Sequence, residues 1–223
     1  MSRLLTTGIL QQARNLSHQK QYALSFDGND YVEINNNGIF DLQLPFTIEI
    51  KMVEAIDAID NSVLLENNQN NGYSIQPYRD TLKINLGGVA LPDPSCPRPE
   101  KDGLLRMITF TINGIDNNNV YIDGIDNTLV SSTDNLPIYS FQPLYIGSRL
   151  GSYGHRGLIS DVRIWSIART QQQIQDNFNK KLTGNEPGLV AYYDFNEGEG
   201  NILYDKTPNA NHGTIYGATW VEI

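Results

Sequence analysis

The sequence predicts an all-β fold, an antiparallel two-sheet sandwich, and three observations predict it. Apolar residues recur with period two over many short runs, Asn-Gly, Asp-Gly and Gly-Gly pairs punctuate those runs, and 19 Gly with 10 Pro in 223 residues supply turns. The clearest run is Phe46, Ile48, Ile50 and Met52 alternating with Thr47, Glu49, Lys51 and Val53, the pattern of a half-buried strand. Before it come Tyr22 to Phe26 and Tyr31 to Ile34. After it come Ser62 to Glu66, Tyr73 to Tyr78, Thr81 to Leu86, Leu105 to Ile112, Val120 to Asp123, Leu144 to Gly147 and Leu158 to Trp165. Leu189 to Phe195, Gly213 to Tyr216 and Ala218 to Val221 complete the series. Asn71-Gly72, Asn113-Gly114 and Asp123-Gly124 are hairpin signals between them.

One short surface helix interrupts the strands. Thr170 and Gln173 form a capping box, Ile174, Phe178 and Leu182 recur every four residues, and Gly184 ends the helix. Trp165, on a face with Ile159, Asp161 and Arg163 and opposite Leu158, Val162 and Ile164, is expected to pack under Ile174 and Phe178. Trp220 is expected to plug the core.

Residues 1–20 read as a separate N-terminal helical arm, ahead of a domain spanning 21–223. Leu5, Ile9, Ala13 and Leu16 make one helical stripe. A helix this short is marginal alone in water, so the stripe must dock, either on its own domain or in a larger assembly. The first 26 residues carry Arg3, Arg14 and Lys20 without any Asp or Glu, +3 against −12 for the remainder of a chain whose net charge is −9.

That acidic balance excludes a non-specific nucleic-acid binder, which needs a cationic field. No run approaches the roughly 18–20 apolar residues of a membrane span. Leu4 to Leu10 is broken by Thr6, Thr7 and Gly8 and flanked by Gln11-Gln12-Ala13-Arg14, the wrong setting for a secretory signal. The expectation is a chain made in the cytosol without a signal peptide, carried where relevant on a virion or particle surface. Cys96 is the only cysteine, so no intrachain disulfide forms, and in the stiff Pro94-Ser95-Cys96-Pro97-Arg98-Pro99 loop it reads as a bystander thiol.

Four stretches, in this order, resemble the laminin-G-like, concanavalin-A-like lectin and glucanase jelly-roll family of bacterial and phage proteins. They are Ala23-Leu24-Ser25-Phe26-Asp27-Gly28-Asn29-Asp30-Tyr31-Val32-Glu33-Ile34, Asn119-Val120-Tyr121-Ile122-Asp123-Gly124, and Leu144-Tyr145-Ile146-Gly147-Ser148 running on through Gly157 to Trp165 and Ala168-Arg169-Thr170. The last extends from Gly188 through Tyr192-Tyr193-Asp194-Phe195-Asn196-Glu197-Gly198 to Asp205-Lys206-Thr207-Pro208-Asn209-Ala210-Asn211-His212-Gly213-Thr214. The resemblance covers residues 22 to 222 and implies a jelly-roll sandwich. Two departures stand out. Leu105 and Met107 occupy the positions where the family usually has Trp and His. The Gly188 to Trp220 segment, which often opens such a domain, here closes it as in a circular permutation, which implies that Trp220 lies near Tyr22.

The same resemblance implies a rim calcium. Hard cations want six to eight oxygens, and Asp205, Asn209 and Asn211 in one turn with Asp27 and Asp30 in another are the candidate ligands; the alternative is that these Asp and Asn residues make turns through their own side-chain hydrogen bonds. Laminarinase-type relatives place catalytic carboxylates as Glu-x-Asp-x-Glu on one strand; that triplet is absent here, and Glu197-Gly198-Glu199 falls in a Gly-rich turn. No nucleophile elbow, zinc helix or Walker loop occurs either, so the chain is expected not to be an enzyme. A sugar site needs aromatic faces and planar polar groups on loops. Arg149, Tyr153, His155 and Arg156 fall within eight residues of one another, and Tyr78 with Arg79, flanked by Tyr73 and Asp80, is a second cluster. The structural alternative is that the arginines pair with surface acids and His155 is a solvated loop residue.

Two functions stand against each other. One is a recognition module for a glycan or other cell-surface ligand, displayed on a larger particle through residues 1–20. The other is a structural or decoration subunit of a phage virion or injection apparatus, with no sugar binding of its own.

Overall fold

A computed structural model describes residues 20–67, 72–87, 93–133, 142–148 and 152–223. Its strands are β1 (Tyr22–Asp27), β2 (Tyr31–Ile34), β3 (Phe46–Glu54), β4 (Leu65–Asn67), β5 (Tyr73–Tyr78), β6 (Thr81–Leu86), β7 (Ser95–Pro97) and β8 (Arg106–Ile112). They continue with β9 (Asn119–Ile122), β10 (Ile125–Asp126), β11 (Leu144–Ile146), β12 (Arg156–Trp165), β13 (Leu189–Tyr193), β14 (Ile202–Leu203), β15 (Gly213–Tyr216) and β16 (Thr219–Glu222). The described helix, α1 (Gln171–Asn177), lies between β12 and β13.

The first sheet runs β10-β9-β8-β3-β12-β1-β16, with β13 joining the C-terminal half of β12, and the second runs β14-β15-β2-β11-β4-β5-β6-β7. Every pairing between these strands is antiparallel. The inner faces, Ile48, Ile50, Phe110 and Val162 from one sheet and Val32, Leu65, Ile75 and Ile146 from the other, form one buried core. Full burial of each such side chain stabilises the fold by roughly 1.5–3 kcal/mol.

Chain closure follows the permuted order. β16 pairs with β1, setting Glu222 opposite Tyr22 and Trp220 opposite Leu24. Trp220 is only half-buried, however. It packs against the margin of the core and donates its indole N–H to the Gly200 carbonyl at 2.9 Å, flanking the sandwich rather than plugging it.

Three further expectations are corrected. A bulge between Ile159 and Asp161 breaks the alternation of β12, so Ile159 faces the core with Val162 and Ile164 instead of sharing the Trp165 face. The capping box of Thr170 and Gln173 forms, but α1 ends at Asn177, with Phe178 as its C-cap and only Ile174 buried. The Arg163 guanidinium ends it by donating to the Asn177 and Lys180 carbonyls at 3.0 and 2.8 Å. Cys96 lies inside β7, buried against the core, rather than in a loop, and burial pushes its thiol up to about 12. Leu5, Ile9, Ala13 and Leu16 lie outside the described residues.

Candidate functional site

At one end of the sandwich, the end of β1, the end of β3 and the start of β12 enclose a cleft of about 500 Å³. Phe26, Asp27, Glu54, Ile56, Lys101 and Arg156 are among its lining residues. Arg156 is half-exposed and pairs with Asp57 at 2.9 Å, the surface ion pair that was the alternative to a ligand role. Gly28 and Gly154 let the chain close tightly beneath it, since a Cβ on Gly154 would come within 2.1 Å of the Gly28 carbonyl oxygen.

The second cluster is tied to the same end. Arg98 donates to both carboxylate oxygens of Glu54, at 2.7 and 3.0 Å, to Asp60, and to the Arg79 carbonyl at 3.2 Å. Its pairing with Glu54 raises the pKa of its guanidinium further. The exposed Tyr78 ring has two cations in cation–π range, Arg79 Cζ at 5.3 Å and Lys83 Nζ at 4.9 Å from its centroid. Arg98, unremarked in the sequence, thus links the cleft to the Tyr78–Arg79 turn; its place in a Pro-rich segment was the only signal.

The remaining residues of the two clusters divide. Tyr153 is exposed, and its carbonyl accepts from the Val63 amide at 2.6 Å. Arg149 lies outside the described residues. His155 is fully buried beside Phe26, not solvated, and burial lowers its pKa to about 4. Tyr73 is a core residue, because it falls on the inward face of β5.

The calcium expectation does not fit. The Asp205 carboxylate is buried and accepts from the Tyr192, Thr207 and Asn211 amides and the Thr207 hydroxyl, which saturates its oxygens. The Asn209 side chain donates to the Val190 carbonyl, and Tyr193 takes the Asn211 carbonyl. Asp27 and Asp30 are occupied in turn by the amides of Asn29 and Asp27, and burial raises the Asp30 pKa. Nor do the two turns meet. Asp27 pairs opposite Arg156, whereas Asp205 is bonded to Tyr192, which pairs opposite Arg163. At roughly 3.3 Å per residue along β12 the two turns are about 20 Å apart. Among the described residues no three His, Cys, Asp or Glu side chains gather as a metal site.

The outer face of the second sheet carries a group that the linear sequence did not show. In register across six strands stand Thr214 (β15), Glu33 (β2), Tyr145 (β11), Glu66 (β4), Ser74 (β5) and Asn85 (β6). Tyr31 and Tyr216 pair beside this row. Their rings stack at 4.7 Å, and Tyr145 meets Tyr31 edge-on at 6.1 Å. The row grades from exposed at Thr214 and Tyr216 to buried at Glu66, Ser74 and Asn85. Burial, then the carboxylate of Glu33, raises the Tyr145 pKa, so the phenol keeps its proton and can donate it.

Fold and faces together define an antiparallel jelly roll of the lectin type, with loops at one end and a polar-aromatic sheet face accessible at its Tyr31–Tyr145–Tyr216 end. The family model of the concanavalin A-like lectin/glucanases superfamily matches residues 26–175, and the chain belongs to that superfamily. No curated protein sequence matches it. Among solved structures it is similar to a candidate carbohydrate-binding protein from Bacteroides ovatus, with 21% identity and TM-score 0.67, covering 92% of this chain and 61% of that one. The chain therefore spans about three fifths of that protein. Domain 4 of an extracellular arabinanase from Geobacillus stearothermophilus, in complex with arabinotriose, is similar at 14% identity and TM-score 0.55, covering 70% of this chain and 76% of that one. A pentraxin from Limulus polyphemus is similar at 16% identity and TM-score 0.52, with 71% and 82% covered. At these identities the likeness is one of fold.

Proposed function

We propose that this chain is a non-enzymatic recognition module that binds a glycan across the outer face of its second sheet. The observation that carries the reading is the tyrosine group Tyr31, Tyr145 and Tyr216 beside the accessible Thr214 and Glu33. A sugar ring presents an apolar C–H face, which an aromatic ring covers, and a rim of hydroxyls, which carboxylates and amides bond. At about 4.8 Å per strand the accessible part of the row, Thr214 to Tyr145, is roughly 10 Å long, room for about two sugar units lying across the strands. The carbohydrate-binding and arabinotriose-bound neighbours support the ligand class through the fold they share.

The reading is non-enzymatic because the chain lacks the Glu-x-Asp-x-Glu triplet of the laminarinase-type relatives. Glu33 and Glu66 stand opposite Tyr145 on the strands either side of it, and Glu66 is buried. The test is a glycan array with the full chain, its Tyr145→Ala and Tyr216→Ala variants, and Arg156→Ala as a probe of the end cleft. Binding lost in the tyrosine variants and kept in Arg156→Ala, with no new reducing ends released, is the expected result. Binding lost only in Arg156→Ala moves the site to the end cleft, and turnover of a bound glycan overturns the non-enzymatic reading.

Attachment to a larger particle is the finer part of the proposal. It is supported by the +3 charge of the first 26 residues against an acidic remainder. Removing residues 1–19 should leave the melting temperature of the head unchanged; a head that unfolds would mean that the stripe belongs to its own core.

A further inference from the structure

A second, smaller cavity of about 80 Å³ opens on the outer face of the first sheet, away from both regions above. It sits where β3, β12 and β13 meet the segment after α1. Lys51, Ser160, Arg163, Lys180, Lys181 and Tyr192 are among its lining residues, with Asp161 and Asp194 as its acids. At about 30 Å³ per liquid water it holds two or three waters or one small ion.

Its charges do not cancel. Asp161 is taken up by a two-pronged pairing with Arg163, at 2.7 and 2.9 Å. Asp194 faces Lys206 at 3.3 Å and Lys181 at 4.0 Å, and Glu197 also takes Lys206, at 2.7 Å. Buried Glu49 is shared between Arg163 and Arg169. Among the described residues this leaves Lys51 and Lys180 with no acid in ion-pair range. Lys51 stands opposite Asp161 in register, but Arg163 already pairs with that carboxylate, so the side chains of this group carry two more positive than negative charges in a chain whose net charge is −9.

The hydrogen-bond donors tell the same story. Ser160 is the bulge residue of β12, only 8% exposed, and its hydroxyl has no partner. Bulges re-aim a side chain at functional positions, and a buried hydroxyl left unpaired calls for an explanation. The fully buried Tyr192 phenol accepts from the Leu182 amide at 3.4 Å, and its own proton has no acceptor among the described residues. Arg163, by holding the Asn177 and Lys180 carbonyls, fixes the lysine-bearing segment over the pocket.

We propose that this pocket binds a small oxyanion, a phosphate, sulfate or carboxylate group, between Lys51, Lys180, Ser160 and Tyr192. The two ammonium groups supply the charge and the two hydroxyls fill the remaining oxygen lone pairs. The site is independent of the glycan face on the other sheet.

The test is calorimetric titration of inorganic phosphate into the full chain at low ionic strength, with chloride as the control anion. Saturable one-to-one binding is expected. Ser160→Ala, Lys51→Met and Lys180→Met should each weaken it by about tenfold, the order of one lost charge-assisted bond, while Arg106→Gln leaves it unchanged. Should Lys51→Met fail to fold, the exposed Lys180→Met and the small Ser160→Ala still decide the matter. A second arm titrates a glucuronate-bearing oligosaccharide and its neutral counterpart. Acidic-sugar binding that phosphate displaces identifies a glycan-borne carboxylate, and phosphate binding alone identifies a free anion. Absence of saturable binding, or binding indifferent to Ser160→Ala and Lys180→Met, overturns the proposal.

Discussion

His155 makes a quantitative prediction about acid stability. The ring is fully buried, neither nitrogen has a partner within hydrogen-bonding geometry, and burial lowers its pKa to about 4, with the backbone of Leu158 and Val53 opposing part of the shift. In the unfolded chain a histidine titrates near 6.5. Because the folded-state value is depressed, the native state holds the neutral ring, and the unfolded state binds the proton more tightly. The associated stability is present above about pH 6.5 and is lost as the pH falls towards about 4. Linkage over this interval gives a loss of about 2 kcal/mol at pH 5 and about 3 kcal/mol at pH 4. The assay is urea unfolding of the wild type and of His155→Leu from pH 7.5 to 4. Subtracting the two curves removes the carboxylate contributions common to both. The wild type should lose stability relative to His155→Leu by the amounts above, since leucine cannot charge. A difference that stays constant across the range would refute the reasoning and mean that the ring is hydrated or already charged in the fold.

Three other perturbations have defined outcomes. Glu49→Ala leaves the buried Arg169 guanidinium without its carboxylate, which it meets at 2.8 Å in the interior, while Arg163 keeps its pairing with Asp161. It should cost about 3–5 kcal/mol in urea unfolding, whereas Asp60→Ala, which removes a half-exposed partner of Arg98, should cost under about 1 kcal/mol; equal losses would contradict the burial argument. Buried Cys96, with its thiol pushed up to about 12, should resist a thiol-reactive dye in the native protein and react once the chain is unfolded. Fast modification under native conditions would show that β7 opens. A chelator should leave the melting temperature unchanged, since the Asp205 oxygens are already hydrogen-bonded; a fall in chelator reversed by calcium would restore the metal site.

How much was legible depended on whether the determining contacts were local. Tyr31–Ile34, Tyr73–Tyr78, Thr81–Leu86 and Gly213–Tyr216 have the same bounds in sequence and structure, because a period of two over four to six residues is a local signal. β10 and β14, two residues each, are too short to show any period. The end of α1 was misjudged because the group that stops it, Arg163, sits on a strand that precedes it, and no rule of helix capping within the segment would find that donor. Candidate sites failed or held for the same reason. Clustering along the chain picked out Arg149 to Arg156, and within that stretch His155 is buried just ahead of β12 while Arg156 finds Asp57. Tyr31, Tyr145 and Tyr216 each looked like an ordinary strand residue. Only the β15-β2-β11 order, set by pairings between distant segments, brings the three rings together. In a sheet protein the strands are written along the chain but a binding face is read across them, so its residues are separated in sequence by the loops and strands between. A site built on one loop can be found from sequence spacing; a site built on a row of strands requires the register first.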